Sequence, residues 1–473
     1  MTHTSRLVAL SAFVMLAVGC RVGPRYARPV VNVPPEYRSA RVDSARVDSA
    51  GTESFGEAKW SEVFRDEELQ KLIRQAVEQN YDVRIAAARI LQARAQLTIT
   101  RADQSPTVTA EATATTERTP ATKRGGFPVP AASDNLYGID GTMFWELDFW
   151  GKFRSATEAE KATLLGTQWA ARAVLVSVVS SVAQSYFTLR ELDLELEIAQ
   201  RALAAREESL RLTRVQEAGG VVSLLDVRQA EQLVYTAASV ITNTQRLITQ
   251  QENALSILLG QNPGPIQRGL PLVDQPSPPE VPTGLPSALL DRRPDIRQAE
   301  QALIAANAEI GVAKAALFPD IALTASGGVQ SNALSTLFSG PAALWHLTGD
   351  VVQQVFNAGR LKANVRLTEA QKLELVFAYL KTVQQGFREV SDALVGHRKA
   401  RELRQQLTQL VSSTEDAARL SDLRYRGGVA SYLEVLTSQT SFLNAELTLA
   451  QARLGELLAL VQLYAALGGG WEQ

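Results

Sequence analysis

The chain contains itself twice, and this duplication constrains its fold more than any other feature. Asn80 to Pro106 matches Arg293 to Pro319 without a gap at an offset of 213, and Gly151 to Gly260 matches Gly359 to Gly468 at an offset of 208. The clearest stretch pairs Gly219-Gly-Val-Val-Ser-Leu-Leu-Asp-Val227 with Gly427-Gly-Val-Ala-Ser-Tyr-Leu-Glu-Val435. The offset changes between Pro106 and Gly151, so that segment must be loop-bearing, because loops accept length changes and packed helices do not. One supersecondary unit is therefore used twice.

Proline positions say what the unit is made of. Pro130 to Pro263 and Pro341 to the C-terminus are two Pro-free blocks of 132 residues each. Proline breaks helices, so these blocks predict very long ones, at about 151–217 and 359–425. At 1.5 Å per residue each spans roughly 100 Å. Leu189, Leu196, Leu203 and Leu210 recur every seven residues, with Leu192 and Ala199 between them. Positions 433, 436, 440, 443, 447, 450, 454, 457, 461 and 464 form a second seam that is apolar except for Thr440. Both patterns are coiled-coil seams. Shorter helices are expected at about 69–102, with an N-cap at Asp82, and at 221–260, 287–316 and 429–468. End to end, each pair of shorter helices matches a long one.

Between the first shorter helix and each long helix the period changes from 3.6 to 2. Tyr137, Ile139, Met143, Trp145, Leu147 and Phe149 alternate with Gly138, Asp140, Thr142, Glu146 and Asp148, and only Phe144 breaks the pattern. This predicts a strand with one apolar and one polar face. Strands are expected at about 106–117, 136–149, 320–329 and 344–356. Four strands cannot close a membrane barrel, which needs at least about eight, because open edges are not tolerated in lipid. Several chains must contribute, and three would supply twelve strands and twelve helical columns.

Composition narrows the chemistry. The net charge of −2 provides no basic field for nucleic acid. His3, His346 and His397 are far apart and Cys20 is the one cysteine, so a metal site, an internal disulfide and a catalytic motif are all unexpected. Residues 1–19 read as a signal peptide, with Arg6 before an apolar run from Leu7 to Val18. Residues 20–60 are an N-terminal extension, 61–260 the first repeat, 261–286 a linker with eight of the 19 prolines, and 287–473 the second repeat.

Four stretches carry a resemblance: Asp291-Arg-Arg-Pro-Asp-Ile-Arg297, Ala315-Ala-Leu-Phe-Pro319, Arg424-Tyr-Arg-Gly-Gly-Val-Ala-Ser-Tyr-Leu-Glu-Val-Leu436 and Leu463-Tyr-Ala-Ala-Leu-Gly-Gly-Gly-Trp471. Over about Cys20 to Trp471 the chain resembles the TolC-type outer-membrane factors, in their NodT-like lipoprotein branch. The resemblance implies a mainly α protein with a membrane β-barrel part. It would be a homotrimer whose 12-stranded barrel continues into a 12-helix periplasmic α-barrel, each chain two tandem repeats of helix, β-hairpin, long helix and helix. It also implies an exit duct for substrates delivered by an inner-membrane pump and a periplasmic adaptor, with no cofactor and no catalysis.

The resemblance further implies sites. Leu16-Ala-Val-Gly-Cys20 resembles a lipobox, with Cys20 carrying lipid (palmitate among its chains) in the outer membrane. Gly219, Gly220, Val221, Ser223, Gly427, Gly428, Val429 and Ser431 match tips where adaptors dock, Ser223 and Ser431 being able to cap the next helix. Asp422, Arg424, Tyr425, Arg426 and Glu434 fall at a periplasmic gate. A duct for a type I protein secretion system, and a non-pore periplasmic coiled-coil lipoprotein, stand as alternatives.

Overall fold

The computed structural model describes residues 22–35, 37, 55–124, 127–276 and 286–471. Cys20 and the signal segment lie outside these residues. The helices are α1 (Glu67–Gln79), α2 (Tyr81–Ala102), α3 (Lys152–Ala218), α4 (Leu224–Leu258), α5 (Pro286–Arg292), α6 (Pro294–Ala315), α7 (Arg360–Arg426) and α8 (Tyr432–Ala466). The strands are β1 (Thr107–Thr119), β2 (Thr122–Arg124), β3 (Phe127–Val129), β4 (Ala132–Glu146), β5 (Asp320–Ser331) and β6 (Ala343–Val352). Both long helices have 67 residues and both returning helices 35, as the 208-residue offset requires.

Two compact units cut across the two repeats. The strand-bearing unit comprises Ile90–Gly166, Ala299–Tyr379 and the described residues up to Pro29. Its sheet is antiparallel in the order β1-β4-β5-β6, so a hairpin from each repeat meets at the β4–β5 pair. Alternation survives in the register: Thr109, Thr142, Ser326 and His346 lie in one cross-strand row, and Val108, Met143, Ala325 and Leu347 in the next. His346 Nδ1 lies 2.7 Å from Ser326 Oγ on the polar face. Every residue of the edge strands β1 and β6 is exposed, including Trp345, Leu347 and Val351.

The bounds of β4 and β6 differ most from expectation. β4 begins four residues early, at Ala132, and stops at Glu146 rather than 149. It stops because Asp148 turns away to accept the amides of Phe153 and Arg154 at 3.2 and 2.9 Å, serving the start of α3. β6 ends at Val352, short of 356. The extra five residues of the first repeat come mainly from the strands, since β4 has 15 residues against 10 in β6, while the β1–β4 connection, which carries its own small hairpin β2–β3, is nearly the same length as the β5–β6 one. Below the sheet Trp150 stacks on Phe318 at 4.8 Å, and Val22 donates its amide to the Trp150 carbonyl. The following residues run along α6, where Arg28 pairs with Glu300 at 3.0 Å.

The helical unit comprises Val30–Arg89, Thr167–Gln298 and Leu380–Gln473. Its core gathers Leu69, Ile73, Tyr186, Leu189, Leu255, Leu463 and Tyr464. The first shorter helix is two helices, and the cap at their junction is Asn80: its Oδ1 accepts the Asp82 amide at 2.8 Å, whereas Asp82 is exposed. Asp82 sits too far into the first turn to serve the donors that Asn80 already holds. The described part of the proline-rich linker is docked rather than free. Asp66, 2% exposed, accepts from Tyr186 at 2.7 Å, the Leu270 amide at 3.0 Å and Gln275 at 2.8 Å. Arg268 binds Asp193 and Glu252. Near the end of the described chain Trp169 and Trp471 meet edge to face at 5.9 Å, and the Arg172 guanidinium lies over both, at 4.1 and 4.7 Å from their ring centres.

Candidate functional site

The two Gly-Gly turns close the α3–α4 and α7–α8 hairpins with one geometry. The Val221 amide donates to Gln216 at 2.9 Å and the Gly220 amide to Glu217 at 2.8 Å; Val429 and Gly428 repeat this with Arg424 and Tyr425 at 3.1 and 2.9 Å. These are Schellman closures, which need a left-handed residue. Gly220 and Gly428 supply it with φ of 73° and 69°. Val221 and Val429, the residues that follow, stand 75% and 67% exposed.

Past the turn the two tips part company. Ser223 and Asp226 form a reciprocal capping box, with the Asp226 carboxylate accepting the Ser223 amide at 2.9 Å. Ser431 makes no side-chain cap bond, contrary to expectation. The residue equivalent to Asp226 is Glu434, whose carboxylate reaches across the turn to Arg424 Nε at 3.3 Å. The longer side chain is committed to an ion pair, and the cap is left open.

All five residues assigned to a gate surround this second turn. Asp422 pairs with Arg426 at 2.8 Å, and Arg424 with Glu434. Both pairs are partly exposed, so each contributes at most about 1 kcal/mol. Tyr425 packs on Tyr432 with ring centres 5.1 Å apart. Burial pushes the Tyr425 hydroxyl above its ordinary pKa, helped by the charge of Asp226 and by Tyr432.

Tyr432, Ser209 and Arg206 escaped the sequence reading. The seam through Leu433 slips by one residue at the tip, where Leu433 is 54% exposed while Tyr432 and Val435 are buried with Leu210, Val227, Ala230 and Leu233. Tyr432 OH lies 3.3 Å from Ser209 Oγ. Buried Arg206 of α3 donates to the Leu233 carbonyl at 2.9 Å and to that of Gln439 at 3.5 Å, tying α3 to α4 and α8. A lone Arg within an apolar seam was the available signal. Beside this cluster a groove of about 410 Å³ opens along α3 and α4, lined by Leu210, Arg211, Arg214, Val215 and Val234.

The family model for outer membrane efflux proteins matches residues 72–261 and 285–469. The toluene efflux pump outer membrane protein TtgC of Pseudomonas putida is 37% identical, covering 99% of this chain and 96% of its own length. The cation efflux system protein CusC of Escherichia coli is 32% identical, covering 96% of each. Among solved structures, the open state of the MtrE outer membrane channel of Neisseria gonorrhoeae superposes with a TM-score of 0.85 at 31% identity, over 96% of this chain and 99% of that one. With both halves matched by one model, and relatives above 30% identity along nearly all of its length, the chain belongs to the outer membrane efflux protein family.

Proposed function

We propose that three copies of this chain form the outer-membrane exit duct of a tripartite efflux system, conducting substrate passively from an inner-membrane pump and periplasmic adaptor to the outside. The observation that carries this is the sheet: four strands with one polar face, bounded by β1 and β6, which are exposed along their whole length. In lipid such edges must pair, and identical chains arranged around an axis pair β1 of one with β6 of the next. The polar faces then line a lumen, and no covalent chemistry is required of it.

The two Gly-Gly turns are the adaptor-docking tips in this reading, supported by exposed Val221 and Val429 on rigid closures. The Asp422, Arg424, Tyr425, Arg426 and Glu434 cluster is the gate, supported by its place at the one tip whose cap is replaced by an ion pair. Cys20 carries the lipid anchor, supported by its position two residues before Val22, which is bound to the Trp150 carbonyl at the foot of the sheet. The pump selects the cargo, since relatives with matches of similar extent are named for toluene and for cations.

The test is reconstitution. Purified in detergent, the protein should run as a trimer after crosslinking and give uniform conductance steps in planar bilayers. A protein that dissolves without detergent and never conducts would instead be the non-pore coiled-coil lipoprotein.

A further inference from the structure

Glu191 lies where a charged group should not. It is 4% exposed on α3, and its Oε1 has no hydrogen-bond partner. One turn further along α3 is Glu195, whose Oε1 accepts from Gln451 Nε2 of α8 at 3.1 Å. Around them the α3–α8 seam is apolar: Leu194, Ile198 and Ala202 meet Leu443, Leu447 and Ala450.

Charged groups on the neighbouring helices are committed elsewhere. Arg190 of α3 pairs with Asp193, Glu252 of α4 with Arg268, and Glu456 of α8 with Arg404 of α7. Arg453 of α8 feels the charge of Arg404. The charge that acts on Glu191 is that of Glu195. An ionised carboxylate in such a place is costly, and two adjacent ones are costlier, so the arrangement is satisfied by one proton held between them.

We propose that Glu191 and Glu195 share one proton at neutral pH, and that its release to solvent at alkaline pH loosens the seam between α3 and α8. Burial first, then the hydrogen bond and charge of Glu195, push Glu191 up to about 8. The sign is opposite to that of an ordinary surface carboxylate. The folded protein holds this proton where the unfolded chain has lost it, so stability falls as pH rises from the ordinary glutamate value of 4.5 to about 8, and levels off beyond. The inference is independent of the duct reading, because it concerns helix packing within one chain.

The experiment is thermal unfolding of the purified full-length protein in detergent across this pH range, for wild type and Glu191→Gln. The wild-type midpoint should drop on going from below neutrality to above pH 8, and the Gln variant should lose most of that drop and melt higher at the alkaline end. An infrared spectrum at neutral pH should show a protonated carboxyl band that Glu191→Gln abolishes. An unchanged pH slope in Glu191→Gln, or no such band in wild type, overturns the proposal. If Ca²⁺ titration at neutral pH raises the wild-type midpoint but not that of the variant, the pair holds a cation and the shared proton is wrong.

Discussion

Asn80 donates from Nδ2 to the carbonyl of Leu258 at 2.8 Å, joining the end of α4 to the junction of α1 and α2. The second repeat makes the same bond with a different residue: Arg293 Nη1 donates to the Ala466 carbonyl at 3.1 Å. Asn80 and Arg293 are related by the 213 offset, Leu258 and Ala466 by the 208 offset, so the two self-matches meet at these contacts. The accepting carbonyls belong to the last turn of a helix and have no partner within it. Each bond joins the end of a returning helix to a junction between two shorter helices.

The two joints should fail unequally. Asn80→Ala removes a cap and a hydrogen bond, together about 2 kcal/mol. Arg293→Ala removes the corresponding bond and also the partner of two half-exposed carboxylates, Asp295 and Glu389, both 2.6 Å from the guanidinium, and should cost about 3 kcal/mol. Denaturant unfolding of both variants checks the ranking. Equal losses would mean that the carboxylates relax into water.

What the sequence displayed was periodicity: the duplicated heptads, the alternating strands and the Gly-Gly turns all recur in register. What it concealed were bonds between distant segments. Asp82 has a side chain well suited to an N-cap, and only the packing of α4 shows that Asn80 takes that role and serves two helices. Asp66 gave no signal, since its partners Tyr186, Leu270 and Gln275 are 120 to 209 residues away. Asp422, Arg424, Arg426 and Glu434 were legible as charges beside a turn, and their assignment to a gate came from the family resemblance alone. Their pairing was not legible, because the swap from Asp226 to Glu434 is conservative in type and decisive in reach.

The repeated glycines are not equivalent in cost. Gly220 and Gly260 both have φ of 73°, so alanine costs roughly 1–2 kcal/mol of backbone strain at either. At Gly220 a Cβ would meet nothing within 4 Å, but at Gly260 it would lie 2.5 Å from the Gln79 carbonyl oxygen. Gly260→Ala should therefore lower the unfolding midpoint much more than Gly220→Ala. Similar midpoints would mean that α1 shifts freely away from α4.

The asymmetry of the tips predicts a functional split. Arg424→Ser and Glu434→Gln each break the same ion pair and should each raise single-channel conductance in planar bilayers, with little change in stability. Asp226→Asn weakens the capping box of the first repeat and should lower stability by about 1 kcal/mol without changing conductance. Conductance that rises with Asp226→Asn and not with Arg424→Ser would put the gate at the other tip.

Acid should unfold the helical unit in two stages. Burial, above all, holds His397 below the ordinary 6.5, so the folded state resists its protonation and stability is lost as pH falls through that value. Asp66 is held below the ordinary 3.8 because hydrogen bonds from Gln275, Tyr186 and the Glu68 and Leu69 amides outweigh its burial. Its contribution is present above 3.8 and is lost as pH falls below it. His397→Gln should flatten the first stage and Asp66→Asn the second, read as midpoint against pH. A variant pair with unchanged slopes would mean that other groups govern acid unfolding.

The faces of β6 give the sharpest contrast for the barrel. Trp345, Leu347 and Val351 share the apolar face, while His346, Thr348 and Asp350 share the polar one, and all are exposed in the single chain. A lysine on a lipid-facing position near mid-bilayer costs about 2–4 kcal/mol, and one facing water costs little. Three copies would multiply that cost threefold in the assembled barrel. Trp345→Lys should therefore block trimer recovery from outer-membrane fractions, whereas Thr348→Lys, three residues away, should assemble normally and lower cation conductance by adding positive charge to the lumen. If both variants assembled equally well, the apolar face of β6 would not be the lipid face.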